Sequence, residues 1–175
     1  MAAAANLIFM DANLYYASDS FTTATAATNT KTLYDICIGF SVSKNNNFQV
    51  GWNYSGHSFA DTSAGTTTTY ATTQMGPRFL YYFDKSRQWR MSVAYNLSTA
   101  ATYTDGSNPT EKWKGTGLSG DLGYQMKVTE GFAFGFRLSY TSTSYKESLV
   151  NETTYSQISY VKTYMYPSIA MTYEF

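Results

Sequence analysis

Apolar and polar side chains alternate one by one along most of the chain, the period-two pattern of β-strands with two unlike faces. From Tyr34 the apolar set is Tyr34, Ile36, Ile38, Phe40 and Val42, against Asp35, Cys37, Gly39, Ser41 and Ser43. Phe48, Val50, Trp52 and Tyr54 then alternate with Gln49, Gly51, Asn53 and Ser55. The pattern returns in Trp89, Met91, Val93, Tyr95 and Leu97 against Arg90, Ser92, Ala94, Asn96 and Ser98. It returns again in Leu118, Leu122, Tyr124 and Met126, and in Phe132, Phe134, Phe136, Leu138 and Tyr140. The last segment sets Ile169, Met171, Tyr173 and Phe175 against Ser168, Ala170, Thr172 and Glu174. Two segments are less regular: Ile8, Met10, Leu14 and Tyr16 near the start, and Met75, Phe79, Tyr81 and Phe83. Pro77 falls on the apolar face of the latter and has no N–H for a ladder, so an irregularity is expected there.

These segments predict eight strands, at residues 6–18, 31–44, 48–60, 67–83, 88–103, 113–128, 132–146 and 154–175. Short connectors at Lys44–Asn47, Asp84–Arg87 and Thr129–Gly131 carry turn-forming residues. Long ones are expected at Asp19–Thr30, Asp61–Thr66, Thr104–Lys112 and Glu147–Thr153. No linker or charge block divides the chain, so residues 1–175 read as a single domain. Met1–Asn6 has neither the basic nor the apolar region of a signal peptide, and Ala2–Ala5 fits the remnant of a removed leader.

Alternation alone fits a soluble barrel with an apolar interior or a membrane barrel with an apolar exterior. Charge and bulk separate the two. Asp11, Asp35, Arg78, Arg90, Asp121, Arg137, Lys162 and Glu174 all belong to the polar set, four acids and four bases. The interior of an eight-stranded barrel is just wide enough for side chains to fill. Phe, Tyr, Trp, Leu and Met on nearly every strand overfill that space, whereas Gly, Ser, Ala and Asn suit it. The apolar face therefore points into lipid. The fold class is all-β, an eight-stranded antiparallel up-and-down transmembrane β-barrel, closed because unpaired backbone groups in hydrocarbon are very costly. Alternating short and long connectors put both termini on the short-turn side, the periplasmic side of an outer-membrane barrel.

Composition agrees. Charged residues are 14% of the chain, against about 25% in ordinary soluble domains. The 17 Tyr, 11 Phe and 3 Trp exclude a disordered chain. Tyr16, Tyr54, Tyr95, Tyr124, Tyr140 and Tyr173 suit an interfacial girdle near strand ends. Twelve acidic and twelve basic residues cancel, which argues against a nucleic-acid partner. No Cys/His spacing indicates a metal site, and no cofactor motif is present. Cys37, in the inward set, reads as a small buried side chain.

The whole pattern resembles the small eight-stranded outer-membrane proteins of Gram-negative bacteria, such as the OmpA barrel domain and OmpX. The resemblance implies a lumen filled by a charged, hydrogen-bonded network, here the eight charged residues above, and a monomer. It also implies that Ile169, Met171, Tyr173 and Phe175 form the C-terminal signal read by the barrel-assembly machinery. Outer-membrane lipid and lipopolysaccharide are the expected surroundings, and a structural or surface-interaction role without catalysis is the expected function.

Three alternatives stay open: a narrow or gated pore, a lipid-A-modifying enzyme and a soluble lipocalin-like carrier. The enzyme would rest on His57, beside Ser55 and Ser58. Alternation sends His57 inward and Ser58 outward, which opposes the contact of about 3 Å that nucleophile and base require. Thr-rich strand ends at 66–73 and 98–104 are read as carrying the sheet past the membrane, where they offer an edge to partners.

Overall fold

Each alternating segment forms a strand, and the eight strands close into one barrel in sequence order. The computed structural model describes residues 8–21, 27–43, 45–106, 108–150 and 154–175. The expected start at residue 6, the reading of Met1–Asn6 and the middle of the first long connector lie outside the described residues. The strands are β1 (Ile8–Phe21), β2 (Ala27–Ser41), β3 (Phe48–Ser63), β4 (Thr66–Tyr82), β5 (Trp89–Asp105), β6 (Glu111–Lys127), β7 (Phe132–Val150) and β8 (Thr154–Glu174). Neighbours pair antiparallel throughout, and β1 closes on β8. One rim holds both described chain ends and the turns after β2, β4 and β6; it is called the terminal rim, and the opposite one the far rim.

Charge burial settles the facing. Ile38 is 57% exposed and Trp52 53%, while Asp11 and Arg90 are fully buried. The outward apolar side chains form a belt, for example Tyr34–Phe40 on β2, Phe48–Tyr54 on β3 and Met165–Tyr173 on β8. Nine residues at about 3.3 Å each, tilted by about 40°, give a belt on the order of 20 Å tall. Above it toward the far rim the outward positions turn small and polar, as at exposed Ser58, Thr73, Thr102 and Thr163.

The strands run 14 to 21 residues, past the roughly 9–11 that span a bilayer. The expected long connectors are thus mostly sheet. Asp61–Thr66 is not a loop at all: Ser63 pairs with Thr66 around Ala64 and Gly65. Both turn residues have positive φ, 51° and 79°, which matches the twist of a two-residue hairpin. Because the strands continue, Tyr16, Tyr54, Tyr95 and Tyr140 mark the far edge of the belt and not the ends of strands. The Thr-rich ends at 66–73 and 98–104 do rise above the belt. They offer no edge, since β4 and β5 are paired on both sides there.

Pro77 coincides with the expected irregularity, a register shift between Met75 and Arg78 against β5. The matching shift between Asn96 and Thr99 against β6 locates an extra residue on β5. It reverses the facing beyond it. Ser98, expected inward, is exposed, while Thr99 and Ala101 are buried. Gly76 sits in this crowded stretch, where an added Cβ would lie 2.0 Å from the Tyr95 carbonyl oxygen.

Candidate functional site: the filled lumen

The lumen is stacked in layers. At its centre Asp11 of β1 is gripped by two guanidinium groups. Arg90 donates to both of its carboxylate oxygens, at 2.7 and 3.0 Å, and Arg137 donates to Oδ2 at 2.8 Å as well as to Oδ1. The Thr172 hydroxyl adds a third donor at 2.8 Å. Arg78 of β4 bridges Asp35 and Asp121, and also donates to Asn53 Oδ1 at 3.0 Å and Ser92 Oγ at 2.9 Å. Arg90 and Arg137 approach Asp121 at 3.6 and 4.0 Å, which links the two halves. The six groups come from six different strands, and their side chains are at most 9% exposed. Three positive and three negative charges balance. Buried charges demand such pairing, because one left alone would bear the full desolvation penalty.

Eight charges are expected in this lumen, and two of them face inward but stand outside the central layer. Glu174 is at the terminal rim, where it pairs with Arg87 and accepts from Gln49 Nε2 at 3.2 Å. Arg87 belongs to the turn between β4 and β5. Its φ of 58° and its place over the Tyr82 ring, 4.4 Å from the centroid, show a turn residue folded back under the barrel. No periodicity could have found it, since alternation does not extend into turns. Lys162 lies toward the far rim, its ammonium 3.7 Å from the centre of the Tyr70 ring.

The layer on the far side of the ions is also polar. Asn96 donates to Gln74 Oε1 at 2.8 Å, and Gln74 donates to Thr143 at 2.9 Å. Beyond it the interior turns aromatic, which the sequence reading missed. Tyr70, Trp113 and Tyr145 are buried together, with Phe59, Tyr103 and Tyr164 packed on them. The hydroxyls of Tyr70 and Tyr145 are bonded to each other, and Tyr145 donates to Thr72 at 3.1 Å. The signal was present as parity: Phe59 continues the inward odd set of β3, and Tyr164 the inward even set of β8.

His57 points inward and is 2% exposed, and Ser58 points outward. Neither imidazole nitrogen has a hydrogen-bond partner among the described residues. Its ring instead meets Tyr164 and Tyr166 edge-on, with centroids 5.6 and 6.4 Å away. Cys37 is inward and fully buried as a free thiol.

The family profile of the outer membrane protein beta-barrel domain matches residues 1–164. The chain belongs to that family. No curated protein matches it. Among solved structures it is similar to the crystal structure of Neisserial surface protein A, with 14% identity, a TM-score of 0.50 and 97% of each chain covered. At that identity the likeness concerns the fold. An outer-membrane barrel with bulky apolar groups outside and paired ions inside leaves no place for the soluble lipocalin-like alternative.

Proposed function

We propose that this barrel is a monomeric, non-conducting and non-catalytic component of the outer membrane, with a structural or surface-interaction role. The observation that carries the reading is Asp11 held by Arg90 and Arg137 together, across the middle of the lumen. Such charge-assisted, multiply bonded groups are among the strongest side-chain contacts. An ion path would have to break several at once. Reconstituted in planar bilayers, the protein is expected to give no stable conductance steps, and reproducible steps would overturn the reading in favour of a narrow pore.

The non-catalytic reading rests on His57, packed against aromatic rings with no nucleophile bonded to it among the described residues. Expressing cells are expected to keep the same lipid-A acyl pattern whether they carry the native protein or His57→Ala. A change that depends on His57 would establish an enzyme instead.

Both termini lie in the periplasm in this proposal, and the far rim faces outward. Its surroundings are outer-membrane lipid and lipopolysaccharide. The last strand, with Ile169, Met171, Tyr173 and Phe175 on the belt face, is its contact with the barrel-assembly machinery. Nucleic acid, metal and cofactor have no part in it.

A further inference from the structure

The joint between β1 and β8 is incomplete. Their ladder covers Phe9–Leu14 against Ile169–Glu174, yet β1 runs on to Phe21 and β8 begins at Thr154. Beyond Leu14 and Ile169 each strand keeps its other partner, β2 or β7, while the two do not pair with each other. The ladder stops two residues short of Pro167, which has no N–H to offer. A slot is left in the wall, starting within the apolar belt and running toward the far rim.

A hollow lies on each side of this slot. The inner one has a volume of about 500 Å³ and is walled by Phe59, Tyr70, Tyr103, Tyr164 and Tyr166. That is within the range of roughly 300–1,000 Å³ usual for small-molecule sites. The outer one, about 240 Å³, is bounded by the belt residues Leu14, Tyr16, Phe136 and Ile169. Tyr15 lines both, and its ring rests 5.8 Å from that of Tyr166. The inner hollow also touches outward-facing Thr163 and Met165, so it reaches the lipid side of the wall beside these two rings.

The cavity has cations near its mouth. Lys31 and Lys162 line it together with a single carboxylate, that of Asp61. No carboxylate forms an ion pair with Lys162 among the described residues, and its ammonium rests on the Tyr70 ring. An anionic head would supply the missing partner, and the aromatic walls suit a chain.

We propose that this cavity is a binding site for a single-chain anionic amphiphile of the fatty-acid type, which enters sideways from the leaflet through the slot between Tyr15 and Tyr166. The inference goes beyond the structural role above and is independent of whether the central ion layer conducts. A chain already in lipid gains little hydrophobic free energy by moving into the cavity. Selectivity must therefore come from the lysine and from shape.

Trp113 supplies the reporter, because it stacks on the cavity residue Tyr103 at 5.2 Å and is buried inside the wall. With Trp52→Phe and Trp89→Phe on the lipid face, Trp113 is the remaining tryptophan. In nanodiscs of this protein, a bromine-labelled long-chain fatty acid is expected to quench Trp113 saturably. Lys162→Glu is expected to raise the half-quenching concentration about tenfold, and Lys162→Gln to raise it less. Tyr15→Ala is expected to speed the onset of quenching. Inorganic phosphate is expected not to compete. Unsaturable quenching, equal affinity in the Lys162 variants, an unchanged rate in Tyr15→Ala, or displacement by phosphate would each overturn the proposal. Far-UV circular dichroism confirms that each variant is a folded barrel before it is titrated.

Discussion

Arg90 meets Asp11 through two parallel hydrogen bonds, one to each carboxylate oxygen, with both side chains sealed from solvent. Arg137 takes the same carboxylate from another strand. Asp11 is the shared anion of the layer, and its neighbours depend on it more than on Asp121 or Asp35.

Asp11→Asn takes the close anion from two buried guanidinium groups at once and leaves them Asp121, at 3.6 and 4.0 Å. The expected loss is about 3–5 kcal/mol of unfolding free energy, the usual result of removing one partner of a buried pair. Asp35→Asn should cost clearly less, because Arg78 keeps Asp121. Urea unfolding in micelles separates the two, and equal losses would refute the ranking.

Gly76→Ala would force a Cβ to 2.0 Å from the Tyr95 carbonyl oxygen and 2.9 Å from the Asn96 Cα. Both are backbone atoms, so neither can rotate away. The β4–β5 ladder is expected to open around the Pro77 irregularity, at a cost of about 1–3 kcal/mol. Amide exchange read on Tyr95 and Asn96 should rise well before exchange elsewhere on β5.

Tyr145→Phe removes the hydroxyl that joins Tyr70 to Thr72. The ring packing survives, while the hydroxyls of Tyr70 and Thr72 lose a partner in a buried place. A loss of about 1–3 kcal/mol is expected, and Tyr70→Phe in the same background should recover part of it.

Asp84 lies in the turn between β4 and β5, outside the belt. The Ser86 hydroxyl, then the backbone N–H groups of Trp89 and Gln88, hold its carboxyl below the usual carboxylate range. A lowered folded-state value means that the turn gains from the charge above the unfolded value, near 4, and loses the gain as pH falls through the folded one. The Gln88 and Trp89 amide signals should therefore shift at acid pH. Asp84→Asn should abolish that titration.

Strand number, facing and most of the ion layer were legible because lipid outside and a narrow lumen inside both act on alternate residues. Asp11, Arg90 and Arg137 stand on clean alternation and could be placed from it. Trp113 has the same inward odd parity as Asp121 on its strand, yet its bulk argues for the lipid face in a lumen expected to be too narrow for aromatic rings. Lys162 shares the inward parity of its strand, but parity says nothing about depth, and it ended in the aromatic layer instead of the ionic one. Strand ends past the belt were missed for a related reason. Thr and Ser outside lipid look alike in sheet and in loop, so Asp61–Thr66 read as a connector.

Seven of the eight ladders join neighbours in sequence and can form as local hairpins. The eighth brings Phe9 against Glu174, across nearly the whole chain, and consists of only six residue pairs. Loop closure over such a span must precede its reward, so this ladder is the one that forms last and parts first. The molecule is in effect a bracelet with a small clasp. Pulled or heated, it should unclasp into a curled but still continuous sheet before any strand is lost from the middle.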